Sequence, residues 1–280
     1  MKTYKEFINE GIKNKMTPKS EENIKEIFSK MTPIQKIEKG AENGIMWAVE
    51  EGLREIGKSE KSLKVAIQNA IQNNHLDITE YLIDNGNVNL KDIDDIENNI
   101  NYMIDPDEEF EKSIIGKLNA KRLEILKGKN DYTGQLSYAC QHNDYELAVE
   151  SIEKGADVKD KHGMFMWKAV STRNVKLIKL LLDKGVPPES SSEFDANQNI
   201  EKATGTNNVE IVKLLLQYGS KIISGEYAIL NHKIIEWVEK GLNHEMIVFL
   251  LENYPSFYKV INKEISKLDA KLKLYQKYTK

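Results

Sequence analysis

The sequence has a single cysteine, Cys140, and only 6 prolines among its 280 residues. One thiol excludes an internal disulfide framework and a cysteine-rich metal site, and it fits a reducing cytoplasm. No stretch approaches the roughly 18 consecutive apolar residues of a membrane-spanning helix, so we expect no contact with a membrane. An excess of positive charge is also missing, since 40 Lys and Arg stand against 44 Asp and Glu. The net charge of −4 and the pI near 5.9 argue against general nucleic-acid binding.

The signatures of catalytic and metal sites are missing as well. The five histidines form no HExxH or HxH motif, and none pairs with the cysteine at metal-ligand spacing. The sequence has neither a glycine-rich phosphate loop nor a GxSxG nucleophile motif. The acidic runs 92–97 and 105–109 lack the glycine placement of a calcium loop. We therefore expect no catalytic residue, no metal site and no cofactor.

Four segments of the sequence share one frame, in which an alanine and a glycine stand 16 residues apart. The segments run from Ala70 to Gly86, from Ala139 to Gly155, from Ala169 to Gly185 and from Ala203 to Gly219. Each contains a polar stretch with Asn, followed by an apolar-rich stretch. The alanines step by 69, 30 and 34 residues, so the first gap leaves room for a degenerate repeat within 87–133. A period near 33 residues indicates a repeat architecture.

Each repeat is typical of two antiparallel helices joined by a tight turn. The apolar side chains of residues 209–216 make a wide buried face, which predicts the second helix. The polar stretch 205–208 before it predicts the turn. The alanine of the first helix is small enough for the paired helices to approach closely. The closing glycine is expected to end the second helix with a positive φ.

Residues 209–216, Val-Glu-Ile-Val-Lys-Leu-Leu-Leu, and 155–157, Gly-Ala-Asp, resemble the ankyrin-repeat family. In that family a first helix containing Ala and a Gly-His turn lead into Leu-Glu-Ile-Val-Lys-Leu-Leu-Leu and Gly-Ala-Asp. The resemblance implies an all-α, ankyrin-repeat solenoid of stacked antiparallel helix pairs. It also implies that His75 lies in a turn and bridges backbone groups of neighbouring repeats. The opening Thr-Pro-Leu-His of the family is absent, and residues 163–167 are one residue out of frame.

Two weaker units extend the repeat pattern at its ends. Residues 238–254 resemble a fifth repeat, and residues 48–56 resemble a first helix and turn whose second helix is curtailed. Beyond them, apolar residues spaced three or four apart predict one long amphipathic helix at 255–280. We interpret it as a cap over the last repeat, because solenoids need a polar end. Its row of lysines leaves a basic contact surface as the alternative.

The first ten residues, MKTYKEFINE, resemble the capsid-targeting tag of internal proteins of T-even-type tailed phages. In that family the tag carries the protein into the prohead, and a maturation protease cuts after the Glu of an Ile/Leu-x-Glu triplet. The shortened protein is then injected with the DNA. The resemblance assigns Ile8 and Glu10 to the triplet and places the cut before Gly11. Because the triplet recurs elsewhere in the chain, only the whole decapeptide carries the resemblance, and an ordinary first helix is the alternative.

These patterns divide the chain into four parts. Residues 1–10 form the tag and residues 11–43 an N-terminal helical cap. The ankyrin-repeat array covers 44–254, and the capping helix covers 255–280.

The resemblance implies that a partner binds on the hairpin tips and on the exposed side of the first helices. The candidate contact residues there are Tyr132, Tyr138, Met164, Phe165 and Trp167. Exposed aromatic and methionine side chains are typical of binding hot spots. The alternative is that the shifted frame packs Phe165 and Trp167 between repeats.

The sequence thus predicts a non-enzymatic, protein-binding ankyrin solenoid. We expect a phage protein that is packaged in the head and then injected, so that it lies first in the virion interior and afterwards in the host cytoplasm. Its expected partners are a host or viral protein, such as a host defence protein that it inhibits, and the maturation protease, with no nucleic acid and no membrane. The alternative is an ordinary cytoplasmic ankyrin adaptor without tag processing.

Overall fold

A computed structural model gives the fold, and every regular element among the residues it describes is an α-helix. The described residues are 18–57, 63–100, 108–159, 164–189, 198–222 and 239–254, together with positions 233, 235–237, 262 and 266. The chain divides into two compact units, Met1–Ile125 and Leu126–Lys280. Each unit is built from pairs of helices.

In the first unit, consecutive helices pair and the pairs stack. The helices are α1 (Pro18–Ser29), α2 (Pro33–Asn43), α3 (Met46–Ile56), α4 (Lys64–Gln72), α5 (Leu76–Asn85), α6 (Leu90–Ile100) and α7 (Glu108–Gly128), the last of which extends past the division. Helix α2 packs against α3 and α4 against α5, while α2, α4 and α6 pack side by side. Their apolar faces close into one core that contains Ile37, Val49, Ile67, Leu82 and Ile96.

The second unit repeats this arrangement. Its helices are α8 (Tyr132–His142), α9 (Tyr145–Glu153), α10 (Met164–Thr172), α11 (Val175–Asp183), α12 (Gln198–Gly205), α13 (Val209–Gln217) and α14 (His244–Asn253). The pairs are α8 with α9, α10 with α11, and α12 with α13. The first helices α8, α10 and α12 form one row, and the second helices α9, α11, α13 and α14 form another. This is the predicted all-α architecture of stacked helix pairs.

The turn inside each pair contains a residue in the left-handed conformation. Its φ is 71° at Gly44, 59° at Asn74, 60° at Asn143, 58° at Arg173 and 57° at Asn207. Asparagine tolerates this conformation better than most residues, which explains Asn74, Asn143 and Asn207. In the second unit the next residue caps the second helix, as the side chains of Asp144, Asn174 and Asn208 accept backbone N–H groups at 2.9–3.1 Å. These caps satisfy donors that have no partner within the helix.

Three of the four closing glycines have the predicted positive φ. The values are 97° at Gly155, 89° at Gly185 and 105° at Gly219. The expectation is wrong for Gly86, whose φ is −83°. A Cβ at Gly86 would meet the carbonyl oxygen of Leu82 and would lie 2.9 Å from a Leu63 methyl. Glycine is needed there for close packing and not for its left-handed conformation.

The prediction of a first helix and turn at 48–56 is also wrong. Helix α3 runs unbroken from Met46 to Ile56, and it is the second helix of a pair whose first helix is α2. Its Gly52 lies within the helix and not in a turn. A Cβ there would stand 2.7 Å from both Ile37 Cγ1 and the carbonyl oxygen of Pro33, so glycine lets the two helices touch. The first helix pair therefore begins at Pro33, inside the segment predicted as a cap.

Several predicted features fall on residues whose structure is not described. The decapeptide 1–10 lies outside the described residues, and so does the capping helix at 255–280 apart from Asn262 and Ser266. The proposed degenerate repeat within 87–133 contains α6 and α7, and the weaker unit at 238–254 contains α14.

Candidate functional site: the first-helix face of the second unit

The first helices of the second unit present equivalent positions side by side. Ala139, Ala169 and Ala203 are fully buried in first helices that pack against the second helices of their own pairs. On a helix, the one or two residues before a buried position turn towards another side. We name the outer side of α8, α10 and α12 the first-helix face. It consists of Ser137, Tyr138, Gln141, Trp167, Lys168, Ser171, Glu201, Lys202 and Gly205, all exposed or half-buried.

Trp167 is the most prominent apolar side chain of the first-helix face. Its indole remains 41% exposed. The ammonium nitrogen of Lys202 lies 3.5 Å from the centroid of the ring, which is a close cation–π contact between α12 and α10. Burial lowers the pKa of Lys202, since losing water disfavours the charged form. No carboxylate among the described residues forms an ion pair with it.

Two further contacts involve residues of the first-helix face. Lys168 donates a hydrogen bond to Ser137 Oγ at 2.7 Å and so links α10 to α8. The ring of Tyr138 lies 4.1 Å from that of His142, one turn further along α8. The face thus carries aromatic rings on α8 and α10 and lysines on α10 and α12.

The five predicted contact residues differ in their exposure to solvent. Met164 and Trp167 are exposed, at 46% and 41%, while Tyr132 and Tyr138 are half-buried. Lys154 places its ammonium nitrogen 5.9 Å from the ring centroid of Tyr132.

Phe165 is only 7% exposed, so its prediction as a surface contact is corrected. It stands four residues before Ala169 and shares that buried side of α10. The alternative of packing between repeats therefore describes Phe165 but not Trp167. The predicted processing residues Ile8, Glu10 and Gly11 lie outside the described residues.

Sequence reasoning missed the two lysines of this face. Lys168 and Lys202 each stand immediately before the repeat alanine, at Ala169 and Ala203. Aligning the repeats on their alanines would have found them, because the same position then carries a lysine twice in succession.

Features of other functional classes are not seen in the described part of the chain. No group of three or more His, Cys, Asp or Glu side chains there could hold a metal ion. Cys140 is a buried thiol. None of the described helices has both the length and the apolar character needed to cross a membrane.

Comparisons with known proteins agree with the helix pairs. Residues 136–225 match a family model of ankyrin repeats in three copies, and residues 65–93 match a model of the single ankyrin repeat. A search of curated proteins found no relative that matches the chain. The matched ranges cover α8 to α13 in the second unit and α4 and α5 in the first. The chain thus contains ankyrin repeats, and its fold is the all-α fold of stacked ankyrin helix pairs.

Proposed function

We propose that this chain is a non-enzymatic protein-binding module that holds its partner on the first-helix face. The exposure of Trp167 supports the proposal. Its large ring remains in contact with water in the centre of the face, with exposed Met164 on the same helix. Tryptophan is among the residues most enriched at binding hot spots, where a partner removes it from water. Ankyrin repeats imply protein partners, which fits this use of the face.

A site-specific photo-crosslinker tests this function. Ser171 is exposed on α10 and donates a hydrogen bond to the Trp167 carbonyl one turn earlier. A photoreactive residue at 171 should form covalent adducts with a protein partner in cells, and Trp167→Ala should reduce them. The matched control is position 176, which is exposed on α11 and lies outside the first-helix face. Adducts of equal yield at both positions, or none at 171, would contradict the proposal.

We further propose that the chain is a phage protein packaged in the head and injected to bind or inhibit a host defence protein. The resemblance of residues 1–10 to a capsid-targeting tag supports this origin. The protein would then lie in the virion interior and later in the host cytoplasm, and a maturation protease would cut between Glu10 and Gly11. An ordinary cytoplasmic adaptor without processing is the alternative, since the binding face needs no tag.

Mass spectrometry of purified particles separates the two origins. A packaged protein should begin at Gly11 in particles, whereas the recombinant chain begins at Met1. Glu10→Ala should block the cut, because it removes the carboxylate that the protease recognises. Deleting residues 1–10 should leave the helical circular dichroism unchanged but abolish packaging. If particles hold only the full-length chain, or none of it, the adaptor is the correct origin.

A further inference from the structure

Two of the three helix pairs that carry the first-helix face lie in a stretch with a positive charge, in contrast to the whole chain. Across 164–222, eight Lys and Arg stand against six Asp and Glu, whereas the chain has a net charge of −4. This stretch contains Trp167 and the pairs α10–α11 and α12–α13. The positive charge of this stretch favours a ligand of opposite charge.

The positive charges on the face form a row. The ammonium group of Lys168 lies on α10 and that of Lys202 on α12. A Cβ built at Gly205 would stand 3.1 Å from Lys233 Nζ, so a third ammonium group lies over the end of α12. Glu201 is the one acidic side chain that the described residues place on the face. The row therefore follows successive repeats, and Lys168 within it is also bonded to Ser137 Oγ.

The surroundings of Lys202 indicate what the row would bind. Its ammonium group is held 3.5 Å above the Trp167 ring, and burial lowers its pKa. A ligand carboxylate beside it would favour the charged form and offset this loss of water. An apolar side chain on the same ligand would cover the exposed part of the indole. The site thus combines positive charges with an apolar anchor point.

We infer that the partner presents an acidic segment that also carries an apolar side chain. The carboxylates of the segment pair with Lys168, Lys202 and Lys233, and its apolar side chain packs on Trp167. This inference rests on the proposed binding function and names the chemistry of its partner. A protein segment fits better than a nucleic acid, because ankyrin repeats imply protein partners. Nucleic acid would offer phosphates to the lysines and bases that stack on the indole, so an oligonucleotide is included in the test.

A labelled peptide provides the probe. Three helices packed about 8–10 Å apart are spanned by an extended peptide of about 10 residues, at about 3.3 Å per residue. The probe peptide has Glu at alternate positions with Leu and Trp between them, and its control has Gln at every Glu position. Fluorescence anisotropy with the full chain should show the Glu peptide binding about tenfold more tightly than the Gln peptide, because each exposed ion pair contributes a factor of about two to five. Raising the salt from about 50 mM to about 300 mM should weaken only the Glu peptide, by screening.

Substitutions on the face assign the effect to its residues. Lys202→Gln should weaken the Glu peptide about threefold, as expected for one exposed ion pair, and Lys202→Arg should restore the affinity. Lys176→Gln is the matched control, since it makes the same charge change on α11, outside the face, and should leave the affinity unchanged. Thermal melting by circular dichroism should show that all three variants are folded. Trp167→Ala should weaken both peptides.

The outcomes separate this inference from the function on which it rests. Equal binding of the Glu and Gln peptides, an equal loss with Lys202→Gln and Lys176→Gln, or tighter binding of a single-stranded oligonucleotide would overturn the acidic partner. If adducts still form at position 171 in that case, the protein-binding function stands and only its chemistry is wrong. If adducts are absent and neither peptide binds, both proposals fail.

Discussion

The imidazole ring of His75 lies directly against the backbone of Gly44. A Cβ built at Gly44 would stand 2.7 Å from Cε1 of that ring. Gly44 is in the turn between α2 and α3, and His75 immediately precedes α5 in the turn of the next pair. The histidine thus contacts the turn of the neighbouring repeat, which is the kind of place that the ankyrin resemblance implied for it.

This contact predicts that Gly44→Ala is costly for two separable reasons. An alanine must adopt the φ of 71° at this position, which costs about 1 kcal/mol or more, and its methyl must displace the His75 ring, which adds about 1–3 kcal/mol. Urea denaturation of Gly44→Ala, His75→Ala and the double variant measures both parts. In the His75→Ala background, the same Gly44→Ala change should cost only the conformational part.

Gly155→Ala is the matched control for this prediction. Gly155 also has a positive φ, 97°, but a Cβ there would meet no atom within 4 Å. Its substitution should therefore cost about as much as Gly44→Ala does in the absence of the ring, on the order of 1 kcal/mol. A cost of Gly44→Ala that is independent of His75 would show that the ring does not restrict this turn.

Arg173 occupies the left-handed turn position that Asn or Gly occupies in the neighbouring repeats. Its φ is 58°, and a left-handed conformation costs a residue with a Cβ about 1–2 kcal/mol relative to glycine. Arg173→Gly should therefore stabilise the second unit by about 0.5–1 kcal/mol, after glycine's larger unfolded-state entropy is deducted. Arg173→Ala should change stability by less than about 0.5 kcal/mol, because it keeps the Cβ. Equal thermal melting temperatures for the glycine and alanine variants would contradict this account.

The sequence predicted the helix pairs well because their signals are local and repeated. The spacing of 16 residues located the pairs at Ala70, Ala139, Ala169 and Ala203, yet the same spacing from Ala41 to Gly57 went unnoticed. The pattern of residues 48–56 predicts a turn that does not exist, because a sequence does not show that a glycine inside a helix, such as Gly52, is there for contact with a neighbour.

The contact surface was harder to predict than the fold. Phe165 and Trp167 are two residues apart and similar in type, but only packing between helices decides which of them is buried. Similarly, the position of Lys202 over Trp167 joins residues 35 apart in sequence, through the stacking of α10 against α12. Repeat alignment indicates such neighbours, whereas helical periodicity within one segment does not.

Leu181 and Leu215 occupy equivalent fully buried positions in the second helices α11 and α13. Replacing either by alanine should cost about 2–5 kcal/mol, the range for a buried leucine whose cavity is only partly filled by relaxation. Leu242→Ala is the control, since Leu242 is exposed and its loss should cost less than about 0.5 kcal/mol. Hydrogen exchange should show the loss of protection mainly in the substituted repeat and its neighbours, because repeats contact only adjacent repeats. Denaturation midpoints equal to the parent's would contradict the assigned helix positions.

The carboxylate of Glu189 caps the start of α12 from a position ten residues before Asn199. One carboxylate oxygen accepts a hydrogen bond from the backbone N–H of Asn199 at 2.9 Å. The other accepts two, from the backbone N–H of Ile200 at 2.9 Å and from the hydroxyl of Ser220 at 2.8 Å. These bonds satisfy helix N–H groups that have no partner within the helix. Burial nevertheless raises the pKa of Glu189 above its ordinary value of 4.5, and the three hydrogen bonds only partly oppose this effect.

The raised pKa of Glu189 fixes the sign of a pH dependence. Because the folded state holds this proton more tightly than the unfolded state, the contribution of the residue to stability is complete below pH 4.5 and is lost as the pH rises through the folded pKa. The free energy of unfolding of the parent minus that of Glu189→Gln should therefore increase as the pH falls from neutral towards 4.5. Urea denaturation over a pH series measures this difference.

Glu150→Gln provides a control of opposite sign. The hydrogen bond from Lys154 lowers the pKa of Glu150, so its contribution is present above the ordinary value of 4.5 and is lost as the pH falls through the folded pKa. The parent's advantage over Glu150→Gln should therefore shrink on acidification, while its advantage over Glu189→Gln grows. If both advantages shrink on acidification, burial does not dominate at Glu189, and its three hydrogen bonds hold the carboxylate in the charged form.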